Sequence, residues 1–193
     1  MAKIKDFIIS RVRVKLLKIF LSQPKEMFYV RQLTRDTSEE INAVRRELAR
    51  LQKTGLVKNE HRGNRLYYYS NPSYQFFPDL LGMVVKSTGL GRQIIKNRPK
   101  LGFVKYAFIS QKLVLGSPRN ADDLDLMLIG QIILPQLTTI VKKVETELGI
   151  EINYSSMTEE EFIYRKNRRD PFITQVLLQP RIMLLGDEIK MAS

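Results

Sequence analysis

The chain has 193 residues, 44% of them hydrophobic, with 32 Lys+Arg against 20 Asp+Glu and a net charge of +12. It has no cysteine and one histidine, His61, which excludes disulfides and thiolate metal sites and removes most His-dependent acid/base and triad chemistry. Residues 1–90 carry 17 Lys+Arg against 8 Asp+Glu (+9), and residues 91–193 carry 15 against 12 (+3). A basic N-terminal half joined to a nearly balanced C-terminal half suggests a polyanion-binding module attached to something else.

No apolar run approaches the roughly 18 residues of a membrane span. The start, "MAKIKDFIISRVRVKLL", is broken by charges and lacks a small-residue cleavage site, so no signal peptide is expected. A reducing, cytoplasmic location fits the absence of cysteine.

"RVRVKLLKIFL" (11–21) places Val14, Leu17, Phe20 and Leu21 on one side of a helix, and Pro24 ends it. "MFYVRQLTRD" (27–36) predicts a second short helix anchored by Val30 and Leu33. The third lies within the stretch 37–57, with Thr37 and Ser38 as N-caps, Glu39 and Glu40 at its positive end, and Gly55 as its stop. Ile41, Val44, Leu48 and Leu51 form its apolar stripe. "LVKNE" (56–60) and "RLYYY" (65–69) read as strands flanking "HRGN" (61–64), whose Gly and Asn suit a hairpin turn. At least one of Tyr67, Tyr68 and Tyr69 should be core, because side chains alternate along a strand.

Helix, helix–turn–helix and basic hairpin is the order of a winged helix. A helix fits the major groove, where Arg reads guanine and Asn reads adenine. Asn42, Arg45 and Arg46 are the candidate base readers, with Arg50 on the same helix. Lys58, His61, Arg62 and Arg65 are the candidate wing contacts. A solvated face of arginines paired with nearby glutamates is the competing reading.

"FYVRQLTRDTSEEINAVRRELARLQKTGLVKNEHRGNRLYYYSN" resembles winged-helix transcriptional regulators of the ArsR/MarR-like kind, the likeness covering roughly residues 10–71. The resemblance implies a cytoplasmic regulator that binds double-stranded DNA as a homodimer. Phe76, Phe77, Leu80, Leu81 and Val84 then predict an apolar helix, either core or dimer contact. Gly89, Gly91 and Pro99 mark a boundary, giving domains 1–88 and 103–193 with a linker at 89–102.

In the second half, 103–110 and 124–130 read as strands around a polar loop with Gly116, Pro118 and Asn120. A helix over 131–149 turns Leu137, Ile140, Val141, Val144 and Leu148 inward, and a strand follows at 150–157. Thr158 and Glu161 form a capping box; a further helix (170–179) and a last strand (181–186) close the domain. "YRKNRRD" (164–170) offers four basic residues to DNA or a nucleotide, against the commoner reading as a solvated helix end. The expected fold is therefore α+β in two domains. A winged helix-turn-helix comes first, and a small α/β domain with a mixed sheet follows.

"AFI" (107–109), "DLDLMLIG" (123–130), "LGIEINY" (148–154), "MTEEEF" (157–162) and "DPFITQVLLQPRIMLLG" (170–186) resemble the minimal nucleotidyltransferase-like domain found fused to winged helices. In an active member, a Gly-Ser pair after the first strand admits the triphosphate, and two aspartates with a third carboxylate hold magnesium. Asp123 and Asp125 fall on the aspartates, and Glu151 on the third carboxylate, with Asn153 its neutral alternative. Gln111 and Lys112 fall on the Gly-Ser positions. Gln111 puts a side chain where bare backbone is needed, and Lys112 places a cation beside the acids.

Two readings of Lys112 follow. It neutralises Asp123 and Asp125 in place of a metal, or it binds the phosphate of a nucleotide ligand. The expectation is a DNA-binding regulator whose second domain is catalytically degenerate, without a cofactor. The alternatives are an active magnesium-dependent nucleotidyltransferase targeted by its winged helix, or an antitoxin-like partner protein.

Overall fold

The structure, a computed structural model, describes residues 8–120 and 123–193. The reading of the first seven residues, and of positions 121 and 122 in the polar loop, lies outside the described residues. The fold is α+β, and the chain divides between Ser87 and Thr88 into two compact units. Among the described residues no helix is long and apolar enough to cross a membrane.

In the first unit, α1 (Arg11–Ser22) opens on Ser10, whose hydroxyl accepts the Arg13 N–H, and buries Val14, Leu16, Leu17, Phe20 and Leu21. The expected second helix begins later than its sequence suggests. Phe28 and Tyr29 form a short strand, β1, paired with Tyr68 and Tyr67. Aromatic residues gain more here from cross-strand partners than from a helix start. Helix α2 follows over Val30–Thr37.

Thr37 and Ser38 do not cap the third helix. Thr37 ends α2, its hydroxyl donating to the Leu33 carbonyl at 2.6 Å, and Ser38 turns the chain at φ 50°. The cap of α3 (Ile41–Lys53) is Glu40, whose carboxylate accepts the Asn42 and Ala43 N–H groups. A carboxylate serves here because it meets exposed N–H groups and the positive helix end together. Val44, Leu48 and Leu51 are buried, as the stripe requires, with Ile41 half-buried.

Strands β2 (Val57–Arg62) and β3 (Arg65–Ser70) form the hairpin, and the sheet order is β1-β3-β2. Gly63 takes φ +56° in the two-residue turn and Asn64 does not have a positive φ, the pattern of a type II′ turn. None of Tyr67, Tyr68 and Tyr69 is fully buried; Ser70 is, its hydroxyl donating to the Phe20 carbonyl at 2.7 Å. All three tyrosines are partly buried on this three-stranded sheet. Helix α4 (Phe77–Ser87) spends Phe77, Leu81, Val84 and Val85 on burial, leaving Phe76 about half exposed.

The segment expected as a linker is built into the second unit. Residues Gly89–Lys96 form α5, with Leu90 and Ile94 buried, and a short 3-10 turn leads to the fully buried Leu101. Apolar spacing here outweighs the two glycines. The sheet runs β6-β5-β4-β7, from β4 (Gly102–Ser110), β5 (Leu126–Ile132), β6 (Tyr154–Met157) and β7 (Arg181–Leu185). It is mixed: β4 pairs antiparallel with β5 and β7, while β5 and β6 are parallel and joined through α7 (Leu134–Leu148).

One face of this sheet packs Tyr106, Phe108, Met127 and Ile129 with Met157, Phe162, Ile173, Val176 and Met191. These come in part from α8 (Glu159–Asn167), α9 (Pro171–Leu178) and a short α10 (Glu188–Ala192) that the sequence does not announce. Leu126 and Leu128 point the other way, as alternation demands. In α7, Leu137, Val141 and Val144 are buried, but Leu148 is 53% exposed because the helix ends there at Gly149. Thr158 caps α8 by accepting the Glu161 N–H, whereas the Glu161 carboxylate pairs with Arg165 at 2.7 Å. Half of the capping box is thus made.

Gly130 lies at φ +142° opposite an irregularity in β4 between Val104 and Tyr106. A Cβ there would stand 2.1 Å from the Phe103 carbonyl oxygen. Gly130→Ala is therefore expected to cost about 2–5 kcal/mol, from positive-φ strain together with the clash. Denaturant melts of the full chain check this.

Candidate nucleic-acid interface and acidic site

The outer face of α3 follows from helical spacing. Asn42, Arg45, Arg46, Ala49 and Lys53 recur at i, i+3, i+4, i+7 and i+11, so they share one side, opposite Val44, Leu48 and Leu51. All but Ala49 are long or polar, and all five are exposed. Lys53 and Ala49 escaped the sequence reading, although the same arithmetic identifies them. Ala49 leaves the centre of this face low. The Asn42 and Ala43 N–H groups hold the Glu40 carboxyl below its ordinary value, and the charges of Arg46 and Arg45 add to this.

Arg50 sits to the side of this face. Its guanidinium reaches Glu47 at 2.8 Å, and Arg13 and Ser10 of the α1 start reach the same carboxylate at 2.8 and 3.1 Å. Glu47 is buried. Desolvation pushes its carboxyl up, but the bonds from Arg13, Ser10 and Arg50 outweigh it, and the net shift is downward. Arg50 is thus partly engaged in tying α3 to α1.

The hairpin separates the four expected wing residues. Cross-strand pairs Lys58↔Tyr69, Glu60↔Tyr67 and Arg62↔Arg65 place Lys58, Arg62 and Arg65 on one face, while His61↔Leu66 lies on the other. Arg62 is hydrogen-bonded to Glu60, and Arg65 stacks over the Tyr29 ring, 5.1 Å from its centroid. Among the described residues, Arg45, Arg46, Lys53 and Lys58 are exposed and have no carboxylate within ion-pair distance.

The scaffold beneath this face is fastened by Glu39, which accepts from Arg11 at 2.7 Å and Lys15 at 2.6 Å. Hydrogen bonds from Arg11 and then Lys15 lower its pKa to about 2. A depressed carboxyl contributes stability above its unfolded pKa and loses it as pH falls through the folded value. Acid destabilisation of the first unit between about pH 4.5 and 2 should therefore be shallower in Glu39→Gln. Thermal melts across that range test it.

The acidic site lies in the second unit. Ser110 ends β4 and caps the four-residue helix α6 (Gln111–Val114) by accepting the Lys112 N–H. Gln111 and Lys112 thus occupy a helix start, where part of the polar loop was expected. Lys112 Nζ meets both Asp123 oxygens at 3.0 and 2.9 Å. The Asn120 N–H, at 2.9 Å, and the Lys112 ammonium hold the Asp123 carboxyl below the usual carboxylate range.

Lys112 makes no ion pair with Asp125. That carboxylate, 1% exposed, is paired with Arg119, and its Oδ2 also accepts the Asn153 N–H at 3.0 Å. The Arg119 guanidinium additionally donates to the Glu151 main-chain carbonyl at 3.3 Å. Sequence reasoning passed over Arg119, since nothing in a loop's spacing tells which way an arginine turns. Asp125 Oδ1 is buried and accepts no hydrogen bond from the described residues.

Asp123 and Asp125 precede β5 instead of opening it, and Glu151 lies in the stretch before β6 with its residue exposed. Among the described residues, no three His, Cys, Asp or Glu side chains are gathered as a metal-binding group. Magnesium needs open carboxylate oxygens at close to 2.1 Å in an octahedral set. With Asp123 facing Lys112 and Asp125 Oδ2 facing Arg119, these residues do not fit a resident magnesium ion.

No protein-family model matches the chain, and no curated protein or solved structure is significantly similar to it.

Proposed function

We propose that the first unit is a winged helix that binds double-stranded DNA, and that the protein is a transcriptional regulator acting as a homodimer on paired half-sites. The observation that carries the reading is the outer face of α3, where Asn42, Arg45, Arg46 and Lys53 project around a low centre at Ala49, the three cations having no ion pair among the described residues. Arg and Asn are the side chains that read guanine and adenine edges. Lys58 on the hairpin supplies a phosphate contact, with Arg62 and Arg65 in reach of the same strand once Glu60 and Tyr29 release them. The overall charge of +12 favours a polyanion at long range.

The second unit acts in this reading as a nucleotidyltransferase-like module without catalysis, serving assembly or ligand sensing. Its support is the pairing of both aspartates with cations of the chain itself.

Fluorescence anisotropy with labelled duplex DNA tests the binding. The affinity should fall with salt with a log–log slope between about −3 and −6, as for about four to six neutralised phosphates. A salt-independent signal, or none at low salt, would remove the DNA reading.

A further inference from the structure

A motif that resembles a metal site here holds its own cations. Asp123 is gripped at both oxygens by Lys112, and Asp125, almost wholly buried, is paired with Arg119. The four side chains sum to no net charge, so the usual reason for a carboxylate pair to recruit a dication is absent. One oxygen stands apart: Asp125 Oδ1 is buried and takes no hydrogen bond from the described residues. It marks coordination capacity that the two basic side chains leave unused.

We propose that Lys112 and Arg119 are resident counter-ions standing where Asp123 and Asp125 would otherwise hold a divalent cation, and that removing both uncovers a latent metal site. The cation class is hard and oxygen-seeking, of the Mg²⁺, Mn²⁺ or Ca²⁺ kind, because the donors are carboxylate and carbonyl oxygens. In the native chain a dication approaching Asp125 Oδ1 meets a carboxylate already paired with Arg119, beside an Asp123 whose two oxygens both face Lys112, and the site stays closed to it. Lys112 and Arg119 therefore tie α6 and the loop after it to the segment leading into β5, and block metal chemistry at the same time. The inference deepens the non-catalytic reading of the second unit and does not depend on DNA binding by the first.

The test is a Mn²⁺ titration of the full chain followed by electron paramagnetic resonance. Wild type should show no saturable binding at submillimolar metal. K112Q/R119Q should bind one Mn²⁺ per chain at least tenfold more tightly than wild type, and adding D125N should abolish the gain. Stoichiometric binding by wild type that is lost in D125N would overturn the proposal, as would a folded K112Q/R119Q chain that binds no tighter than wild type. Should K112Q/R119Q fail to fold, melts of two further variants decide. A lone R119Q chain leaves a buried acid uncompensated, so R119Q/D125N should melt higher than R119Q. If the second substitution restores nothing, Arg119 is not the counter-ion of Asp125 and the proposal fails.

Discussion

Replacing Arg45 and Arg46 together by alanine is expected to lower affinity for the preferred duplex by on the order of 10²-fold or more, while leaving the melting temperature nearly unchanged. Each arginine bidentate to a guanine carries about 1–3 kcal/mol of discrimination. Both side chains are exposed and make no ion pair among the described residues, so their removal takes nothing from the core. Lys58→Ala should act differently. It should weaken all duplexes alike and reduce the salt slope by about one unit. Arg50→Ala belongs to a third class, because it also loosens the Glu47 network that ties α3 to α1. Binding isotherms on specific and unrelated duplexes, each beside a thermal melt, separate the three.

Asp125→Ala is expected to destabilise the chain by about 3 kcal/mol, among the largest single effects in the second unit. The substitution takes from the Arg119 guanidinium its carboxylate, leaving it the Glu151 carbonyl, and removes the Asp125 acceptor of the Asn153 N–H. Removing one member of a buried ion pair costs about 3–5 kcal/mol. Arg119 is 24% exposed and can recover part of its hydration, which places the cost toward the lower end. Asp125→Asn keeps an acceptor for the Asn153 N–H and should cost about half as much. Urea melts monitored by circular dichroism give both numbers. An Asp125→Ala chain as stable as wild type would mean that the ion pair contributes nothing to folding.

The elements that could be read from the chain are those whose burial repeats along the sequence. Val14, Leu17, Phe20 and Leu21 announce α1, and Val44, Leu48 and Leu51 announce the inner face of α3. The hairpin was legible because Gly63 interrupts two β-rich runs. What escaped the sequence depends on partners far along the chain. Phe28 and Tyr29 become a strand only because Tyr67 and Tyr68 lie beside them. Residues 89–102 join the second unit because Leu90, Ile94 and Leu101 find a core there.

The same division holds at the sites. Arg45 and Arg46 stand out in the sequence by residue type, and helical spacing then joins Lys53 to their face and sets Arg50 beside it. Arg119, by contrast, reaches Asp125 from a loop with no period, so no pattern in the sequence could assign it. The separation of His61 from Lys58, Arg62 and Arg65 follows from the alternation along β2 once its register with β3 is known.

Selection from a random pool of duplex DNA by the full chain, compared with its Arg45→Ala/Arg46→Ala variant, tests the central claim most directly. The account predicts that wild type enriches a defined motif, containing guanine at positions the two arginines reach, and that the variant enriches none. Homodimeric reading would repeat the motif as half-sites about 10–10.5 base pairs apart, or at multiples of that spacing. Enrichment of the same motif by both proteins, or of no motif by wild type, would contradict the assignment of α3 as the recognition helix.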